Sequence, residues 1–213
     1  SIGDIVVAGR AYGKVRDLIN DRGEKIKKAL PSTPVLVSGL TEIPDAGDKF
    51  FVVESLKAAE EAAEERRRID DDVFRRMASF LSSETPENFE RIHNHATWAV
   101  AGVGMTGYVL RDRDLSDQAL NGLKKDGSAG FLTQIDQLFS PDGYYEEGPY
   151  YQRYALAPFI IFAGAIDRNE PGRGIFQRRD GVLLKAVDTL IQSSYGGYFI
   201  PINDAILDKG LDT

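Results

Sequence analysis

The chain changes its periodicity near residue 55, and that change limits its folds more than any other feature. Before it, Asp4–Ala8, Gly13–Ile19, Lys25–Lys28, Pro34–Ser38 and Lys49–Glu54 are β-rich or alternating. Between them stand turn formers: Asn20-Asp21-Arg22-Gly23, Pro31-Ser32-Thr33-Pro34 and Pro44-Asp45-Ala46-Gly47-Asp48. Such residues supply tight reversals, so the region reads as closely spaced strands. That spacing predicts part of a small β-barrel. After the change, Ser55–Arg68 is dominated by Ala, Glu, Lys and Arg, with Ser55 at the N-cap. Its polarity predicts a solvated connector helix. Residues 70–82 place Val73, Met77, Phe80 and Leu81 on one helical face. Thr85-Pro86 has the form of a cap followed by proline in the first turn. Thr97–Leu110, Ser116–Lys124, Gly130–Phe139, Tyr151–Ile166 and Gly181–Ser193 complete a run of helices. The expected fold class is α+β. Residues 1–54 form a β-rich partial barrel, 55–68 a connector helix and 69–213 an all-helical part.

Composition follows the same division. Of 21 aromatic residues, only Tyr12, Phe50 and Phe51 precede residue 69. Residues 1–68 hold 12 basic and 12 acidic side chains, so the net charge of -7 belongs to the remainder. An acidic helical part argues against nucleic-acid binding there. It also provides no long-range attraction for a polyanion, so local groups must hold any acidic substrate. The chain has no cysteine, which excludes disulfides and thiolate metal sites. No apolar run approaches the roughly 18 residues of a membrane span. The N-terminus has neither the basic leader nor the apolar core of a signal peptide, so the chain as it stands reads as cytoplasmic.

The chemistry-bearing residues cluster. Ile92-His93-Asn94-His95-Ala96-Thr97-Trp98 holds both histidines and the only tryptophan, and residues 142–154 hold five of nine tyrosines. An amide, an imidazole and several phenols are the groups needed to abstract a proton beside a sugar carboxylate. Amide and imidazolium donors offset the charge of an enolate-like intermediate. A phenol transfers the proton at the bridging oxygen, and needs nearby cations if it is to act as a base. Arg153 can grip a carboxylate bidentately. Tyr144, Tyr145 and Tyr154 read as packing residues, and Glu146 and Glu147 as braces of their turn. His93-x-His95 has no third ligand at metal-binding spacing. Gly102-Val103-Gly104-Met105-Thr106-Gly107 fits a dinucleotide fingerprint but lies inside an expected helix, where small residues serve close packing.

Two resemblances follow from motifs. Asp4-Ile5-Val6-Val7-Ala8-Gly9, Ala11-Tyr12-Gly13-Lys14-Val15-Arg16, Asn20-Asp21-Arg22-Gly23, Pro31-Ser32-Thr33-Pro34-Val35 and Pro44-Asp45-Ala46-Gly47-Asp48-Lys49-Phe50 resemble bacterial translation initiation factor two over about residues 1–66. That resemblance implies the β-barrel after the GTPase domain. It does not imply GTP binding. A P-loop needs four residues between its glycines and Ser or Thr after the lysine. Gly9-Arg10-Ala11-Tyr12-Gly13-Lys14-Val15 has three, then valine.

Residues 68–213 resemble the helical domain of heparinase II/III-like polysaccharide lyases, especially oligoalginate lyases. The resemblance rests on Arg68-Ile69-Asp70-Asp71, His93 through Val100, Phe139 through Tyr145, Glu147 through Tyr154, and Pro201-Ile202-Asn203-Asp204-Ala205. It implies part of an α/α toroid and β-elimination on a uronate, most plausibly alginate, without cofactor or metal. Asn94 and His95 would neutralise the carboxylate, and Tyr151 would be the catalytic acid or base. Tyr151 lies 56 positions after His95, which favours it over Tyr150. Arg153, Tyr150 and Trp98 would contact substrate. The family's toroid is longer, and its β-sandwich has no counterpart here. The two resemblances together imply a chimeric, truncated or designed chain with weak or absent turnover. The expected partner is an acidic polysaccharide or oligosaccharide, not nucleic acid or membrane, with self-association left open. The rival readings are a non-catalytic structural or binding protein, and a translation-factor fragment without GTPase activity.

Overall fold

The computed structural model describes residues 1–204. Ala205 and the residues after it, which the sequence reading assigns to the helical part, lie outside the described residues. The chain divides into two compact units, one spanning Ser1–Phe74 and the other beginning at Arg75.

The first unit contains β1 (Ile5–Ala8), β2 (Ala11–Asn20), β3 (Val35–Leu40) and β4 (Phe50–Val53). They form one antiparallel sheet in the order β3-β2-β1-β4. Alternation along β1 sends neighbouring side chains to opposite faces. Val6 joins Val15 and Leu18 in one small core. Val7 packs with Ala59 and Ala63 of α1 (Leu56–Arg68) in another. The cap is as expected, the Ser55 side chain accepting a hydrogen bond from the Ala58 amide. The helix is not wholly solvated, because the stripe of Ala59 and Ala63 lets it lie close on the sheet.

Two expectations for this unit are corrected. No barrel forms. The four-stranded sheet is open, with β3 and β4 as its edges, and Phe50, Phe51 and Val52 on the β4 edge are exposed rather than paired onward. Lys25–Lys28 is not a strand but is tied in by single links: an Ile19–Lys25 bridge, an Ile26 amide to the Leu18 carbonyl and an Ile2 amide to the Lys27 carbonyl. Beyond α1 the chain makes one wide helical stretch, Ile69–Arg75, where buried Asp70 accepts from the Arg66 guanidinium at 2.9 Å.

The second unit is helical: α2 (Arg76–Leu81), α3 (Pro86–Phe89), α4 (Asn94–Leu110), α5 (Arg113–Asn121), α6 (Phe131–Leu138), α7 (Pro149–Asn169) and α8 (Arg178–Gln192). A two-stranded hairpin follows, β5 (Ser194–Tyr195) with β6 (Tyr198–Phe199). Of the expected apolar face over residues 70–82, Leu81 packs on the core beside Ala78, while Val73, Met77 and Phe80 are exposed. α3 is a single turn, and the Thr85 hydroxyl bonds the Phe80 carbonyl instead of capping it. α5 begins three residues early because Asp112 accepts from the Asp114 and Leu115 amides. α8 opens on Arg179, Asp180 and Gly181 with positive φ, and Arg179 donates to the Ile135 and Phe139 carbonyls at the end of α6.

The aromatic-rich core of this unit is centred on α7. Phe131 stands 4.7 Å from Phe162 and 5.3 Å from Phe159 between ring centroids, and Phe139 stands 5.1 Å from Phe159. These separations are those of edge and tilted aromatic pairs. α4 lies alongside α7 in the same direction: Asn94 meets Glu147, Gly104 meets Phe162 and Tyr108 meets Glu170. The glycine pattern of α4 thus serves packing. A β-carbon at Gly104 would fall 2.0 Å from the buried Phe162 ring.

Gly104→Ala should destabilise the protein by about 1–3 kcal/mol, because the crowded Phe162 ring has nowhere to move. Gly102→Ala meets only Leu81, at 3.7 Å, and should stabilise by about 0.5–1 kcal/mol through helix propensity. Urea unfolding of the two variants checks the contrast, and equal effects would contradict it.

Candidate active site

Parallel packing of α4 and α7 puts their N-termini side by side. Asn94 and His95 occupy the first turn of α4, and Tyr150 and Tyr151 the first turn of α7. The turn before α7 is fixed by Gly148. Its φ is +88°, and an added β-carbon would lie 2.4 Å from the Ile202 carbonyl oxygen. Pro149 then starts the helix with the restricted φ that first turns favour. Buried Gln152 ties the turn to α8. Its amide nitrogen donates to the Gly143 and Ala186 carbonyls, and its oxygen accepts from the Tyr145 amide.

Two adjoining clefts share Asn94, His95 and Tyr151. The larger, about 660 Å³, is also lined by His93, Glu146, Glu147, Asn203 and Asp204. The smaller, about 260 Å³, is also lined by Tyr150, Arg153 and Tyr154. The fold therefore brings together five of the six expected site residues. Trp98 lines neither cleft. It is exposed, with its ring 6.1 Å from that of Tyr154. The Arg153 guanidinium lies over the Tyr150 ring at 4.9 Å, and Tyr150 stands edge-on to Tyr151 at 5.1 Å. Such stacking limits the rotamers of all three. Of the tyrosines expected to pack, Tyr145 is fully buried, whereas Tyr154 is exposed and lines the smaller cleft.

Glu147 is the residue whose part the sequence does not disclose. Its carboxylate accepts from the Asn94 side-chain amide at 2.6 Å and from the Tyr145 hydroxyl at 3.5 Å, and lies 3.2 Å from His93 Nε2. The only signal in the chain is the carboxylate beside Gly148-Pro149. His93 caps α4, its Nδ1 accepting from the His95 amide. Burial pushes the Tyr145 phenol far up, with Glu147 adding to it, so Tyr145 remains a hydrogen-bond donor. Asn203 closes one side by donating to the Glu146 carbonyl at 2.9 Å. Among the described residues, no group of three or more His, Asp or Glu side chains has the geometry to hold a metal ion, and no helix is long and apolar enough to cross a membrane.

A third cleft, about 740 Å³, lies at the opposite ends of α4 and α7, lined in part by Tyr108, Arg111, Arg113, Glu170 and Arg173. The arginines there have a structural explanation. Arg111 is the C-cap of α4 and Arg173 follows the end of α7, where helix C-termini carry partial negative charge, and Arg173 pairs with Glu170.

A family profile described as alginate lyase matches residues 25–197. Over 152 residues the chain is 72% identical to an alginate lyase of Stenotrophomonas maltophilia, covering 71% of this chain and 20% of that protein. It is 64% identical over 152 residues to an exo-oligoalginate lyase of Saccharophagus degradans, covering 71% and 21%. Over 72 residues it is 54% identical to translation initiation factor IF-2 of Caldanaerobacter subterraneus, covering 34% of this chain and 10% of that protein. The chain spans about a fifth of the length of the curated lyases it matches. The lyase profile begins well before residues 66–68 and continues past them. With the open sheet, this corrects the expectation of a chimera joining an initiation-factor barrel to a lyase part at that point.

Burial is the largest influence on Glu147 and raises its carboxyl above the ordinary glutamate range. Glu146 and Asp204 add to the rise, while His93 and His95 oppose it. Between the ordinary and the raised value the folded protein holds a proton at Glu147 that the unfolded chain has released, and above the raised value Glu147 is the carboxylate that accepts from Asn94. Stability from this group falls as pH rises from the ordinary value through the raised one, then levels. Glu147→Gln should remove that slope. Denaturation midpoints of parent and variant, measured from about pH 4 to 7, should show the parent's relative stability falling as pH rises. A pH-independent difference would contradict the assignment.

Proposed function

The chain belongs to the alginate lyase family, and on that premise we propose that the paired clefts bind a uronate residue of alginate or an oligoalginate and promote β-elimination at it. The observation that carries the reading is the convergence of Asn94, His95, Tyr151 and Arg153 on the smaller cleft. Two helix N-termini add to it. α4 and α7, roughly 25 and 30 Å long from the rise per residue, both direct the positive ends of their dipoles there.

Electrostatics selects the cleft. Glu146, Glu147 and Asp204 line the larger one and would repel a sugar carboxylate. Among the described residues no carboxylate lines the smaller one, and Arg153 supplies a cation. The uronate carboxylate is therefore best held where the clefts meet, by the Asn94 amide and the His95 imidazole. There they offset the charge that builds up as the C5 proton departs. The electron pair left at C5 forms the C4=C5 double bond, the C4–O bond breaks, and the released oxygen takes a proton. Tyr151 closes the proton balance: its oxygen, as a phenolate sharing the smaller cleft with Arg153, takes the C5 proton, and the resulting hydroxyl returns it to that bridging oxygen. Its place in the first turn of a long helix, edge-on to Tyr150, limits its motion, as positioning catalysis requires. Arg153 grips a carboxylate of the bound sugar.

The test incubates the chain with alginate and oligoalginates and follows the ultraviolet absorbance of the unsaturated product. Tyr151→Phe should lower turnover by about a hundredfold or more, with an unchanged circular dichroism spectrum. His95→Ala should cost about a hundredfold to a thousandfold, and Tyr150→Phe much less than either. Turnover by Tyr151→Phe equal to that of the parent would contradict the role, and binding of oligoalginate without any product would favour a non-catalytic carbohydrate-binding protein.

A further inference from the structure

We propose that Glu147 is the positioning residue of this site: it sets the orientation of the Asn94 amide and the His93 imidazole, and through them the donors offered to the substrate carboxylate. The inference rests on the lyase reading above and assigns part of its geometry to a residue that would not touch the sugar.

Asn94 is buried, with 3% of its surface exposed. A buried carboxamide can sit in two orientations, which differ in whether oxygen or nitrogen faces a given neighbour. Glu147 decides between them. With nitrogen toward it, the carboxylate accepts at 2.6 Å. With oxygen toward it, two acceptors would be forced together where little water screens them. The cost of the chosen orientation is visible, because Asn94 Oδ1 is buried and has no hydrogen-bond partner. An orphaned acceptor of this kind marks a group held by something other than its own best hydrogen bonding. One hydrogen on Asn94 Nδ2 is committed to Glu147, and the second remains for a ligand.

The same carboxylate sets the histidine segment. His93 Nδ1 accepts from the His95 backbone amide, so Nε2 is the protonated nitrogen in the neutral ring. It faces Glu147 at 3.2 Å. One side chain thereby spans from the turn that starts α7 to the residues that start α4. It stands next to Gly148, whose backbone is fixed by its positive φ and by Ile202. Glu146 has no such reach. It lines the larger cleft, and it is its backbone carbonyl that Asn203 engages.

Glu147→Ala, Glu147→Gln and Glu147→Asp in this chain test the proposal with two independent readings. The first is the Asn94 side-chain amide in proton–nitrogen NMR. Glu147→Gln replaces two acceptor oxygens by one acceptor and one NH2 donor, so it no longer dictates which way the Asn94 amide faces, and the hydrogen-bonded, slowly exchanging proton should weaken. Glu147→Ala and Glu147→Asp, the latter drawing the carboxylate back by one methylene, should lose it. The second is steady-state turnover of an oligoalginate. kcat should fall by about tenfold to a hundredfold for Ala and Asp, with KM little changed, and by less for Gln, which keeps one acceptor oxygen. An Asn94 signal unchanged in the Asp variant would overturn the proposal, as would equal kcat in all four proteins. The Asp variant keeps charge and polarity, so it serves if the Ala variant does not fold. The amide reading decides the positioning even if the parent shows no turnover, which would instead count against the lyase reading.

Discussion

Close parallel packing of α4 on α7 is the constraint from which the rest of the helical unit follows. Phe162 sits against Gly104, where no larger residue fits, and touches the Phe131 and Tyr108 rings. That contact lets two long helices run side by side in one direction. Their first turns are then neighbours, and so are their last turns. The candidate active site occupies one end and the arginine-lined cleft the other. The helix dipoles make the two ends electrostatically unlike. Positive ends meet at Asn94, His95 and Tyr151, while negative ends meet at Tyr108 and Glu170, where Arg173 stands as a counter-charge.

Much of this was legible in the chain. The period change near residue 55 marked the passage from strands to helices. Ser55 announced a cap that the structure retains. Gly102 through Gly107 read as a packing surface, because a helix leaves no room for a phosphate-binding loop. Asn94, His95, Tyr151, Tyr150 and Arg153 were named from motif and chemistry, and the fold gathers all five around adjoining clefts. Trp98 was named with them but lies outside. It stands three residues beyond His95, on nearly the same face but about 4.5 Å further along α4, exposed with its ring near Tyr154.

The rest was hidden for definable reasons. Turn spacing indicated strands but carried no information about closure, so an open four-stranded sheet and a barrel segment looked alike. α1 looked solvated because charge dominates its composition, yet two alanines four apart were enough to seat it on β1. The exposed Val73, Met77 and Phe80 satisfy a helical period without being buried. Periodicity reports what could be buried together, not what covers it. Glu147 was hidden because its significance lies in a contact with Asn94, 53 residues away. A glutamate before Gly-Pro looks the same whether it braces only its own turn or also orients an amide on another helix.

The α4–α7 pair has two unlike ends, and the sugar is expected at the end formed by their N-termini. NMR titration of the chain with a short oligoalginate decides it. Shifts at the Asn94 side-chain amide, the His95 ring and the Arg153 guanidinium, with Tyr108 and Arg173 still, are the predicted result. Shifts confined to Arg111, Arg113 and Arg173, or none at high sugar concentration, would contradict it.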